Sequence, residues 1–253
     1  MRLFFIIYII FISFSSAQTN DYGKPVKDPS IILKSFQNFW QYQNTYIKLS
    51  DDFIGLDTSS NSIDKGEFLR QLITGNYLPL RLQSKTSIYY KLSEVDYWDV
   101  KDIRNTTVNL AKIELWNYTM ENNLFPKFNA QDLNGNNYSN ESLKDKTVVL
   151  KLWFIGCQQC IKEMPSLNKL FDTYKNRKDL VFLSMALDED DALRKFLKKR
   201  KFDFPVIGNQ NDFLKNKLRT YMYPTHIIIN KEGKIVKVVN SYEELEKALK
   251  KNI

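Results

Sequence analysis

Cys157 and Cys160 are the only cysteines in a chain of 253 residues, and they stand as Cys157-Gln158-Gln159-Cys160. An apolar run precedes them and a helical pattern follows. This placement constrains the fold more than any other feature, because it demands a strand that ends where a helix begins. A thiol at a helix N-terminus meets unpaired backbone N–H groups and the positive end of the helix dipole, which stabilise its thiolate. A second thiol one turn further on is close enough to close a disulfide onto the first. With no third or fourth cysteine, a four-cysteine zinc site within one protomer is excluded. A buried inert pair and a plain structural disulfide remain open on spacing alone.

Bulk composition bounds the rest. Hydrophobic residues make up 43% and charged residues 26%, ordinary for a globular protein. The formal charge is +8, but the basic residues are spread, and the tight runs Lys198–Lys201 and Lys250-Lys251 fall at predicted helix ends. A solvated face accounts for them, and no nucleic-acid partner is expected. No phosphate loop and no His-Glu-x-x-His zinc motif occurs. No cofactor or metal is expected.

The first residues read as an export signal, assigned to 1–17. Arg2 is the positive start, Leu3 to Phe14 is apolar apart from Ser13, and Ser15-Ser16-Ala17 supplies small residues for cleavage. The apolar stretch is short for a membrane span, although an uncleaved anchor stays open. Export to the periplasm or cell envelope would place the cysteines where disulfides persist. Residues 18–28 are predicted to be a flexible leader.

Residues 29–120 read as a mixed α/β domain. Ile32, Phe36, Phe39, Trp40 and Ile47 follow helical spacing after Asp28-Pro29-Ser30. Asp64 to Thr74 predicts a helix stopped by Gly75, Tyr77–Leu82 and Ser87–Leu92 a hairpin, and Val100 to about Tyr118 a further helix. This domain has neither Cys nor His, so recognition of a partner or dimerisation is the expected role.

Residues 121–253 alternate between strands and helices. Thr147 to Phe154 and Leu180 to Leu187 predict buried strands, with a helix from Cys157 to about Tyr174 between them. Helices follow over 190–200 and 213–218. A hairpin, Thr225–Ile229 and Lys234–Val239, and a helix over Tyr242–Lys250 end the chain. The pattern is α/β, a mixed central sheet covered on both faces.

That order resembles the thioredoxin fold, and particular motifs resemble its AhpC/TSA–TlpA branch. They are Phe125-Pro126-x-Phe128, Asp132-Leu133-Asn134-Gly135, Ser142-Leu143-Lys144-Asp145-Lys146, Trp153 four residues before the first Cys, Glu163-Met164-Pro165, and Tyr223-Pro224-Thr225. The resemblance implies a thiol-disulfide oxidoreductase, a reductase rather than an oxidase. Cys157 would attack and Cys160 would resolve, with Glu163 as acid/base. It makes Tyr223-Pro224 a cis-proline loop, and Tyr223, Pro224 and Trp153 candidate substrate contacts. Protein or peptide disulfides would be substrates, and an envelope redox partner would recycle the dithiol. Pro165 inside the helix predicts a kink.

Three departures from that pattern count. Gln159 replaces the proline of C-x-P-C, Gly156 replaces a Trp, and Lys151 occupies the site where thioredoxins keep a buried Asp. Lys151 either snorkels to solvent or joins the site chemistry. A peroxidase of the same branch is one alternative, but it needs Thr or Ser where Phe154 stands. A copper- or heme-delivery binder is the other, with His226, the only histidine, as the added ligand; a packed sheet residue is the plainer reading of His226.

Overall fold

The run Thr-Val-Val-Leu-Lys-Leu-Trp, Thr147–Trp153, is buried at all seven positions, and a strand covered on both faces needs layers on either side. The computed structural model describes residues 21–96, 100–220 and 222–253. Residues 1–17, predicted to be an export signal, and residues 18–20 of the predicted leader lie outside the described residues. In chain order the elements are α1 (Pro29–Ile32), α2 (Phe36–Tyr46), β1 (Ile54–Leu56), β2 (Ser62–Ile63), α3 (Lys65–Ile73), β3 (Tyr77–Arg81), β4 (Tyr89–Glu94) and α4 (Lys101–Met120). There follow β5 (Asn129–Gln131), β6 (Asn137–Ser139), β7 (Thr147–Trp153), α5 (Gln158–Tyr174), β8 (Leu180–Ala186), α6 (Asp190–Leu197) and β9 (Val206–Ile207). A π-helical turn (Phe213–Lys217), β10 (Thr225–Ile229), β11 (Ile235–Val239) and α7 (Tyr242–Asn252) complete the chain.

The larger sheet runs β11-β10-β7-β8-β9. Strand β7 lies parallel to β8 and antiparallel to β10, so α5 is the crossover between two parallel strands. Alternation along β7 splits the core. Val148, Leu150 and Leu152 pack on one side with Met120, Phe125, Leu214 and Leu218. Val149 packs on the other with Leu167, Leu170, Leu245 and Leu249 of α5 and α7. This is a thioredoxin-like sheet with helices on both faces. Helix α5 runs unbroken through Pro165, which faces outward, so the predicted kink does not divide it.

The smaller N-terminal sheet, β2-β1-β4-β3, packs α2 and α3 through Phe39, Phe68, Leu69, Leu72, Leu78 and Tyr90. Asp64 caps α3 by accepting the Glu67 N–H at 3.0 Å, worth about 1 kcal/mol. Gly75, at φ +77°, ends it in the left-handed region; a side chain there would also strike Arg104. Two expectations change here, and two strands are added. The single helix predicted around Phe36 is two, because Ser35 caps a new start by accepting the Asn38 N–H. Strands β1 and β2 are too short to show alternation in sequence. The leader residues are tied down, since the Gly23 and Val26 N–H groups donate to Gln83 and Arg81 along the edge of β3.

Helix α4 joins the two lobes. Its last residue, Met120, sits in the core of the larger one, and the Asn122 N–H donates to the carbonyl of Ile235. Glu121 bridges Lys237 at 3.2 Å. Ser50 bonds Glu244, and Asp51 and Asp52 pair with Lys247 and Lys251 of α7.

Candidate active site

Strand β7 ends at Trp153, and the chain turns over three residues before Cys157 caps α5. The turn is fixed from below: the Ile155 N–H donates to Asp188 at 2.8 Å, and the Cys157 N–H donates to the Phe154 carbonyl. Cys157 and Cys160 form a disulfide, with Cα atoms 5.2 Å apart. The Cys160 N–H points at the Cys157 sulfur, 3.1 Å away. In the reduced protein that donor and the start of a 17-residue helix act on the Cys157 thiolate.

Accessibility within the pair is unequal but slight. Cys157 is 7% exposed and Cys160 fully buried. An attacking thiol needs an open face, and this one has little. Instead Leu133, Trp153, Met164, Ala186, Leu193 and Val206 enclose the disulfide, with Tyr223 and Phe154 against them. Gly156, Gln158 and Gln159 are the exposed residues around it.

Lys151 does not snorkel. It is fully buried, and its Nζ lies 3.1 Å from Glu163 Oε2. Register explains the meeting. Lys151 projects from β7 on the face covered by α5, and Glu163 is one turn beyond Cys160 on the covered side of that helix. The same register sets His226 of β10 directly beside Lys151, and His226 Nε2 reaches the same Oε2 at 3.0 Å. Glu163 Oε1 accepts the backbone N–H of Tyr242 at 3.1 Å. One carboxylate therefore collects three donors in a pocket with almost no solvent.

The electrostatics follow from that geometry. Burial works to raise the Glu163 carboxyl, but the His226 and Lys151 contacts outweigh it and hold it below the ordinary glutamate range. Burial pushes the Lys151 ammonium down, against the pull of Glu163. Burial also pushes His226 down to about 4, so it is neutral at neutral pH. A neutral imidazole facing an ionised carboxylate must carry its proton on Nε2. Its Nδ1 is then a bare acceptor, buried and without a partner among the described residues. Sequence reasoning set His226 aside as a packed sheet residue. Its one signal was position, one residue after the strand that follows Pro224 begins.

Pro224 is buried behind a cis Tyr223–Pro224 bond. Tyr223 lies beside the disulfide, edge-on to Phe154 with ring centroids 5.5 Å apart. Trp153 needs correction as a substrate contact. It is fully buried, with its ring 5.8 Å from those of Phe196 and Phe202, and cannot meet a docking chain. A strand covered on both faces leaves no outward side for it. Among the described residues no group of three or more His, Cys, Asp or Glu is arranged to hold a metal ion.

Comparison with known proteins gives a consistent result. The model of the AhpC/TSA family matches residues 122–238. The chain is 32% identical over 130 residues to the thiol-disulfide oxidoreductase ResA of Bacillus thuringiensis subsp. konkukian, covering 50% of this chain and 75% of that protein. It is 30% identical over 114 residues to ResA of Bacillus subtilis, covering 45% and 64%. Among solved structures, the thioredoxin domain of a thiol-disulfide oxidoreductase from Bacteroides vulgatus is 27% identical, with a TM-score of 0.47, covering 52% of this chain and 96% of that one.

Proposed function

We propose that this chain, which belongs to the AhpC/TSA–TlpA-like family of thioredoxin-fold thiol-disulfide oxidoreductases, is an exported reductase of protein disulfides. The observation that carries the reading is the Cys157–Cys160 disulfide at the start of α5, one turn from a buried carboxylate held by Lys151 and His226.

In the reduced protein the Cys157 thiolate attacks one sulfur of a substrate disulfide. A mixed disulfide forms and the first substrate thiolate leaves. Cys160 then loses its proton to Glu163 and attacks the Cys157 sulfur. The Cys157–Cys160 bond closes, and the second substrate thiolate leaves. Two electrons pass from the dithiol to the substrate, and an envelope dithiol partner must return them. Glu163 suits the proton step because Lys151 and His226 occupy Oε2, leaving Oε1 with one backbone donor. Tyr223 and Pro224 would line the approach of an extended substrate.

The reductive direction draws on the Cys-x-x-Glu-x-Pro resemblance and the envelope location on the export signal. Phe154 removes the hydroxyl a peroxidase needs, and His226 is committed to Glu163 rather than to a metal. Reduction of a cystine-linked peptide dimer by the reduced protein tests the reading. Wild type should oxidise as the dimer is cleaved, and Cys157→Ser should not; equal rates for the two would refute it.

A further inference from the structure

Asn117 of α4 is buried, and it belongs to the N-terminal lobe. Its Nδ2 donates to Asn240 Oδ1 at 2.7 Å, across 123 residues of sequence. Asn240 Nδ2 in turn donates to the Pro224 carbonyl at 3.0 Å and to Thr225 Oγ1 at 2.9 Å. Thr225 Oγ1 donates to the Met222 carbonyl at 2.7 Å. The direction of this chain is forced. The Pro224 carbonyl can only accept, so the Asn240 amine must face it, and the Asn240 oxygen is left for Asn117.

Asn240 is also anchored by its backbone. Its N–H donates to Glu244 Oε2 at 3.2 Å, and Ser50 of the N-terminal lobe holds the other oxygen of that carboxylate. Two residues later the Tyr242 N–H reaches Glu163. The segment Asn240–Glu244 thus receives two contacts from the N-terminal lobe, and delivers two to the Pro224 loop and one to the buried acid.

We infer that Asn240, oriented by Asn117, is a positioning residue that holds the Met222–Thr225 loop for an extended substrate, so that the N-terminal lobe sets substrate affinity without touching the thiols. The inference rests on the disulfide-reductase reading for its substrate. Its structural half, that Asn117 pins the loop, stands by itself. A buried amide costs free energy unless it is hydrogen-bonded, and the Asn117 amine meets that condition through Asn240. A hydroxyethyl disulfide needs no strand-like docking, whereas a cystine-linked peptide dimer does.

The test compares wild type with Asn117→Ala, Asn240→Ala and the double variant, each checked for folding by thermal melting. Amide exchange is read at Met222–Thr225, and KM and kcat are measured for both disulfides. Each single variant should speed loop exchange and raise KM for the peptide dimer about tenfold, the loss of one or two neutral hydrogen bonds. Asn117→Ala should leave hydroxyethyl disulfide reduction unchanged. The double variant should be no worse than Asn240→Ala, because the two act in series. Asn240→Ala alters a half-buried position and keeps the question answerable if Asn117→Ala fails to fold. Unchanged exchange overturns the inference, and so does faster exchange with unchanged peptide KM. If wild type reduces neither disulfide, the reductase reading fails, and exchange alone decides whether Asn117 pins the loop.

Discussion

Lys151 Nζ and Glu163 Oε2 stand 3.1 Å apart in the interior of the thioredoxin-like lobe, a fully buried ammonium against a carboxylate that is 5% exposed. Removing two charges from water is expensive, and their attraction returns that cost only if the remaining lone pairs are also bonded. Here His226 and the Tyr242 N–H supply two further donors to the carboxylate and leave Oε1 room for one more. The pair therefore makes sense as a device that keeps a carboxylate ionised one turn from Cys160, and less sense as a source of stability.

Breaking the pair from one side should cost far more than removing it. Lys151→Met leaves a buried carboxylate without its cation, and Glu163→Gln leaves a buried ammonium. Each is expected to lower the unfolding free energy by about 3–5 kcal/mol. The double variant Lys151→Met/Glu163→Gln should recover much of that loss. Urea unfolding of the four proteins measures it, and strict additivity of the two losses would show that the residues do not depend on one another.

His226 gives the pH dependence its sign. Its folded value is about 4, below the 6.5 of a free histidine, so between those values the unfolded chain binds a proton that the native protein refuses. Its contribution is full above pH 6.5 and falls as pH drops towards 4, by up to about 3 kcal/mol. Glu163 adds an acid-side loss of its own, because a lowered carboxyl gives up its stabilisation as pH falls through the folded value. His226→Gln keeps a donor for Glu163 but cannot titrate. Its stability between pH 6.5 and 4 should be flatter than that of wild type by that amount, and parallel curves would remove His226 from the account.

Sequence and structure agree where a single pattern suffices and part where three elements must meet. The buried strand 147–153, the helix behind Cys157 and the terminal hairpin each carry their own periodicity. Lys151 and Glu163 could be placed near Cys160 from strand and helix geometry alone. His226 could not, because its meeting with Glu163 depends on the β7–β10 register, which pairs His226 with Lys151 across 75 residues of chain. Burial of Cys157 was equally illegible, since Leu193 and Val206 come from later elements; burial of Trp153 was implied by the buried strand that carries it. The sequence places Met120 in the first domain, yet its side chain packs in the core of the larger lobe, a contact set by elements that come later in the chain.

Kinetics should separate the two chemical steps. Glu163→Gln removes the proposed proton acceptor for Cys160, so closure of the mixed disulfide should slow by about a hundredfold, the usual scale for a lost general base. The first attack by Cys157 should change by less than threefold, since its thiolate depends on the helix start and the Cys160 N–H. Rapid-quench analysis of the mixed disulfide reports both rates. Equal slowing of the two would mean that Glu163 acts on the site as a whole.

The order of thiol reactivity follows from the same contacts. In the reduced protein, iodoacetamide near neutral pH should modify Cys157 first, because it has the helix-start donors and the only accessible surface of the pair. Peptide mapping after brief alkylation reads this. Earlier label on Cys160 would reverse the assignment of attacking and resolving thiols.

The most direct test of the central claim is to interrupt the exchange at its midpoint. With Cys160→Ser, the reduced protein is offered a cystine-linked peptide dimer, and the products are separated without reductant and mapped by mass. One half-peptide should accumulate in disulfide linkage to Cys157 and be released by dithiothreitol, while Cys157→Ser should capture none. Absence of the adduct from Cys160→Ser, or an equal adduct on Cys157→Ser, would contradict a Cys157-led exchange.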